Sequence, residues 1–71
     1  MSESVYRVTE VIGASPEGWE QAAQNAVETA ARTVRDLRVA EATRFDVTIE
    51  NGKVASYRVR LDISFKYDQG D

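Results

Sequence analysis

The stretch from Ser15 to Leu37 constrains this chain more than any other. Trp19, Ala22, Ala23, Ala26, Val27, Ala30, Val34 and Leu37 recur at three- and four-residue steps, the period of one helix face. Glu20, Gln24, Glu28, Arg32 and Arg35 fill the opposite side, with both arginines near the C-terminal end, where the helix dipole favours cations. Ser15-Pro16-Glu17 reads as the start: the serine oxygen accepts an orphan N–H, proline takes the first helical position, and the acid faces the positive end. The pattern predicts one amphipathic helix of about 20 residues, roughly 30 Å long at 1.5 Å per residue. Its stripe is mostly alanine, so whatever it covers must come close. Such a helix lies on a sheet and carries no catalytic group.

Strand signals flank it on both sides. Val5 to Ile12 is rich in β-branched and aromatic residues and predicts a first strand. Gly13-Ala14 then bends the chain into the helix. This bend is not a phosphate loop, because Pro16 and Glu17 open the helix and neither favours an anion. After Leu37, Arg38 to Ile49 predicts a second strand, in which Phe45, Val47 and Ile49 alternate with Arg44, Asp46 and Thr48. Its opening, Val39 to Ala42, either bends or continues the strand. Asn51-Gly52 is a hairpin signal. The third strand follows, with Tyr57, Val59, Leu61, Ile63 and Phe65 on one face and Arg58, Arg60, Asp62 and Lys66 on the other. A two-residue turn would set Phe45 against Arg58; the apolar faces match only if a bulge or a three-residue loop shifts the register by one. The expected fold is α+β: β-α-β-β, a three-stranded antiparallel sheet wrapped around one long helix. The charged sheet face suits a wet interface or a lined cavity.

At 71 residues the chain is one domain, 1–71, with 1–4 and 67–71 as flexible ends. A core this small rarely supplies more than about 3–5 kcal/mol of net stability. Cysteine and histidine are both absent, which excludes disulfides and thiolate or imidazole metal sites and leaves self-association as the staple. Nine basic and twelve acidic residues are interspersed for a net charge of −3, unlike the gathered basic excess of a nucleic-acid surface. No apolar run approaches the roughly 18 residues of a membrane span. The expectation is a soluble, cytoplasmic protein with no nucleic-acid or membrane partner. Catalysis is not expected either, since acid–base work needs a group tuned near neutral pH. Without histidine and cysteine only perturbed carboxylates, lysines or Tyr6, Tyr57 and Tyr67 remain.

Local words narrow the fold further. Tyr6-Arg7-Val8, Ile12-Gly13-Ala14-Ser15-Pro16, the alanine-rich helix, Gly52-Lys53-Val54, Tyr57-Arg58-Val59 and Ile63-Ser64-Phe65-Lys66 resemble, in this order, the dodecin family. The resemblance runs from about Val5 to Lys66. It implies a hollow spherical homododecamer of β-α-β-β subunits that binds flavin between aromatic side chains near the subunit two-folds, storing or quenching it without catalysis. Flavin-binding members carry a stacking tryptophan soon after the helix, in a Leu-x-Trp pattern; this chain reads Leu37-Arg38-Val39, and valine has no π-face. Where they place a glutamine on the third strand, this chain has Arg58, a donor-only cation. Their basic residue on the second strand corresponds to Asp46.

Trp19-Glu20-Gln21-Ala22-Ala23, Arg38-Val39-Ala40, Asp46 and Ser64-Phe65-Lys66 are more similar to the calcium dodecins, a branch without the flavin site. What this resemblance implies is a non-catalytic shell that stores or sequesters an ion or small ligand, with calcium as the possible cofactor. Calcium takes six to eight oxygen ligands and needs neither thiolate nor imidazole. Asp46 is the expected metal ligand, helped by symmetry-related copies, backbone carbonyls or water; the competing reading is an ordinary ion pair with Arg44 or Arg58. Val39 and Arg58 are the positions that match the family's flavin pocket. The alternative function is a flavin store with a rearranged pocket, stacking the ring on Phe45 or Tyr57.

Overall fold

The computed structural model describes residues 5–66; the expected flexible ends, 1–4 and 67–71, and with them Tyr67, lie outside the described residues. The chain runs β1 (Tyr6–Ser15), α1 (Trp19–Ala31), β2 (Leu37–Glu50) and β3 (Lys53–Lys66). β3 is the centre of one sheet, antiparallel to β1 on one side and to β2 on the other. The β-α-β-β order and the antiparallel sheet are those expected from the pattern.

The helix is shorter than its periodicity promised, at 13 residues. Ser15 does not cap it. That residue ends β1 in a buried position, and its Oγ accepts the Glu17 N–H at 3.0 Å in a local turn of its own. Pro16 therefore precedes the helix and Gly18 is the residue before its first turn. The C-terminal end also comes early. Arg32 and Thr33 donate to the Thr29 and Ala30 carbonyls three residues back, both at 3.2 Å, the tightening that closes a last turn. Thr33 and Val34 are β-branched and propagate a helix poorly. Asp36 then takes φ 60°, in the left-handed region that short polar side chains tolerate. Leu37 keeps its place in the core but reaches it from the start of β2.

Gly13 and Ala14 likewise extend β1 instead of bending it. A side chain at Gly13 would run into the Ala22 carbonyl and the Ala26 methyl of α1, so glycine here permits close approach rather than a turn. The alanines answer it. Ala22 and Ala26 are buried against Val59, Leu61 and Ile63, with Val11, Ala23, Val27, Ala30 and Leu37 packed around them. This core is thin: among the described residues, of the large side chains only Ile63 and Val59 are fully enclosed.

The hairpin reconciles both readings of its register. Glu50 pairs with Lys53 across a two-residue turn, and Asn51 (φ 52°) and Gly52 (φ 75°) supply the positive φ pair of a type I′ turn. The shift comes immediately afterwards: Ile49 pairs with Val54 but Thr48 with Ser56, leaving Ala55 as the extra residue of a bulge. Phe45 therefore meets Val59 and Asp46 meets Arg58. Two further irregularities, between Leu37 and Val39 and between Ala42 and Arg44, lie along β2, which is strand throughout the segment Val39 to Ala42.

Candidate functional site

Register places side chains in rows across the sheet. On the face turned to α1 the pairs Val11–Leu61, Gly13–Val59 and Phe45–Val59 continue the core. Toward the hairpin this face ends in an aromatic corner. Trp19, the first residue of α1, meets Tyr57 at 5.0 Å and Phe45 at 5.8 Å between ring centroids, edge-on in both cases. Its indole N–H donates to the Asp46 carbonyl at 3.2 Å, which ties the helix start to β2. Such edge contacts contribute about 0.5–1.5 kcal/mol beyond area burial. Trp19 thus has a fixing role that its place in the sequence did not disclose.

The opposite face carries the site residues named from the sequence. Arg58 grips the Asp46 carboxylate with two bonds, Nε to Oδ1 at 2.8 Å and Nη2 to Oδ2 at 2.9 Å. This fork geometry uses both oxygens. The hydrogen bond from Arg58, followed by the charges of Arg58, Arg44 and Arg60, lowers the Asp46 pKa, and partial desolvation opposes them. The same bond raises the Arg58 pKa. Beside them Thr48 and Ser56 share a 2.6 Å hydroxyl contact. The Arg44-or-Arg58 alternative for Asp46 resolves to Arg58 within one chain.

Val39 lies elsewhere. It pairs with Ser64, whose hydroxyl donates to the Val39 carbonyl at 3.4 Å, and is 62% exposed. Ser64 stands six residues along β3 from Arg58, about 20 Å at strand rise. The structure therefore does not bring Val39 and Arg58 together in one subunit. Nor does it bring Phe45 or Tyr57 to them, since both rings belong to the helix side of the sheet. On the Val39 face the described aromatic residue is Tyr6, on β1.

The donor set answers the calcium question for a single chain. Among the described residues no group of three or more histidine, cysteine, aspartate or glutamate side chains could hold a metal. Asp46 offers at most two of the six to eight oxygens that calcium takes, and both already accept from Arg58. One subunit does not fit the ion. Oxygens from further copies would be required.

These features define a class: a one-helix β-α-β-β subunit with a dry alanine-lined side and a charged open face. Residues 5–68 match the dodecin family model, and the chain belongs to that family. It is 44% identical over 63 residues to the calcium dodecin of Mycobacterium tuberculosis, covering 89% of each chain. The solved dodecin of Streptomyces coelicolor superposes with a TM-score of 0.92 at 44% identity, over 99% of this chain and all of that one. The crystal structure of the M. tuberculosis calcium dodecin, described as calcium-chelating with a calcium-binding site, gives a TM-score of 0.81 at 43% identity, covering 96% and 97%. No helix among the described residues is long and apolar enough to cross a membrane.

Proposed function

We propose that this protein is a non-catalytic, cytoplasmic storage or sequestration protein that works as a dodecin-type homododecameric shell and holds an ion or small ligand of the calcium type. The observation that carries the choice of ligand is the face itself. Val39 stands exposed where a stacking ring would be needed, and Asp46 and Arg58 form a charged pair where a flavin edge would be read. An aromatic stack on a base contributes roughly 1–3 kcal/mol, and Val39 supplies none of it. The 44% identity to a calcium dodecin supports the same choice. Calcium, in this reading, is held between copies, each Asp46 adding its carboxylate to a shared set of oxygens.

Native mass spectrometry with metal analysis of the purified protein tests the reading directly. The expected result is an assembly near twelve times 7.9 kDa that takes up calcium saturably, loses uptake in Asp46→Asn, and leaves riboflavin fluorescence unquenched. A yellow protein that quenches riboflavin at micromolar levels would establish the flavin alternative instead.

A further inference from the structure

The open sheet face is banded by charge, and two neighbouring rows hold an excess of positive charge. In one, Ile12 of β1, Arg60 of β3 and Arg44 of β2 stand opposite one another; in the next, Ala14, Arg58 and Asp46 do. β1 contributes no charge to either row, so three arginines share one carboxylate. The acid band of Glu10, Asp62 and Glu41 lies on the far side of the Arg60 row, about 14 Å from Arg58 at strand rise. Of these acids, Glu10 reaches Arg60 at 3.7 Å, longer than a hydrogen bond, and the two side chains are 58% and 38% exposed, so solvent screens the pair. Arg44 is exposed and forms no ion pair among the described residues. Like charges directly opposite are destabilising, and Arg44 directly opposes Arg60.

We propose that Arg44, Arg58 and Arg60 form a site for a small oxyanion of the phosphate class, and that Asp46 is its built-in competitor. Directly opposite residues have Cβ atoms about 4.5–5.5 Å apart, so the Arg44 and Arg60 side chains start close enough to close on one anion from two strands. A guanidinium presents its donors as a planar fork that matches phosphate oxygens in pairs, and a tetrahedral oxyanion has oxygens for more than one fork. Arg58 already shows this mode of binding in its grip on the Asp46 carboxylate, at 2.8 and 2.9 Å. Negative charge is favoured at this place. The hydrogen bond from Arg58, and then the charges of Arg58, Arg44 and Arg60, hold Asp46 below its ordinary pKa against the opposing desolvation. The competition links two ions. A cation that draws the Asp46 carboxylate away frees the Arg58 fork for the oxyanion, and an oxyanion on Arg58 frees both Asp46 oxygens for the cation. Each therefore raises the affinity for the other by the same factor. This link, though not the oxyanion site itself, rests on the calcium reading above.

Calorimetric titration of the full chain with inorganic phosphate tests it, with chloride as the comparison anion. Wild type is expected to take up phosphate saturably, and equimolar chloride is expected not to displace it. Arg44→Gln/Arg60→Gln should lose that uptake while keeping its circular dichroism. Asp46→Asn releases Arg58 and should bind phosphate at least about fivefold more tightly with no calcium present, the lower end of ordinary coupling between sites. Glu10→Gln releases Arg60 and should tighten binding by less. Calcium, kept below the concentration at which its phosphate precipitates, should tighten phosphate binding to wild type and leave Asp46→Asn unchanged. No saturable uptake by wild type or Asp46→Asn, equal displacement by chloride, or full uptake by the double arginine variant overturns the proposal. If that double variant does not fold, Arg44→Lys keeps the charge and gives up the fork; a severalfold weaker phosphate affinity is expected, and an unchanged one overturns the proposal. Calcium uptake without phosphate uptake in any variant leaves the calcium reading and removes this site. Phosphate uptake that Asp46→Asn tightens but calcium does not alter leaves the site and removes the calcium reading.

Discussion

The two faces of the sheet use the same three strands for opposite ends. On the helix side, small residues set distances: Gly13 lets α1 settle on β1, and Ala22 and Ala26 let it settle on β3. On the open side, charge sets relations: Asp46 with Arg58, three acids in a row, two arginines in the next. The first face is specified inside one chain, although Phe45 and Trp19 at its hairpin end stay 56% and 40% exposed. The second is specified only in part, because of its two charged rows only Arg60 and Glu10 form an ion pair among the described residues. For a chain of this size the difference is instructive. The dry face makes a fold, and the charged face makes a fold that wants company.

The sharpest way to break the comparison is to damage the first face. Ile63 is 1% exposed at the middle of the core, so Ile63→Ala should cost about 2–5 kcal/mol. In so thin a core that unfolds the isolated subunit, and chemical denaturation should find stability only at concentrations where copies associate. Gly13→Ala comes next, at about 1–3 kcal/mol, because the added methyl meets backbone that cannot rotate away. Its melting temperature should fall. Trp19→Leu removes two edge contacts and the bond to the Asp46 carbonyl, for a loss of about 1.5–2 kcal/mol at a ring that is 40% exposed. Trp19 is the chain's one tryptophan, so its fluorescence should respond to hairpin and helix-start contacts before global unfolding.

What the sequence disclosed follows the same division. The helix stripe, the alternation of β3 and the Asn51-Gly52 turn were legible because each is a local pattern with a short period. The bulge was legible as a necessity, since no bulge-free two-residue hairpin could match Phe45 with Val59, although its location at Ala55 was not. Helix limits were misread where two local choices competed. Ser15 and Pro16 suit a helix start, yet the buried end of β1 claims the serine and its hydroxyl serves Glu17. Val34 and Leu37 fit the helical period, but Leu37 reaches the same core from a strand. The charge bands were out of reach because they depend on register across three strands. The bulge at Ala55 sets Arg44 opposite Arg60, and the one between Ala42 and Arg44 sets Glu41 opposite Asp62. For Asp46 the sequence left open a metal ligand or an ion pair with Arg44 or Arg58, and only register across the hairpin singled out Arg58 as its partner within the chain.

The smallest expected effect concerns that pair and sharpens the comparison most finely. Asp46 is held below its ordinary pKa of 3.8, first by the hydrogen bond from Arg58 and then by the surrounding arginine charges. The folded chain therefore binds this proton less readily than the unfolded one. Its contribution to stability is complete above 3.8 and is lost as the pH falls through the lower folded value. Asp46→Asn should accordingly melt slightly below wild type at neutral pH, with the gap closing on acidification below 3.8. About two-fifths of each side chain is exposed in the single subunit, so solvent screens the pair and the gap should be small there. Arg58→Gln separates two roles of the same carboxylate. It removes the internal partner and should lower stability in the same pH range, yet it frees both Asp46 oxygens and should raise calcium uptake a few-fold. If Arg58→Gln lowers uptake and stability together, Asp46 serves the fold alone and is not the calcium ligand.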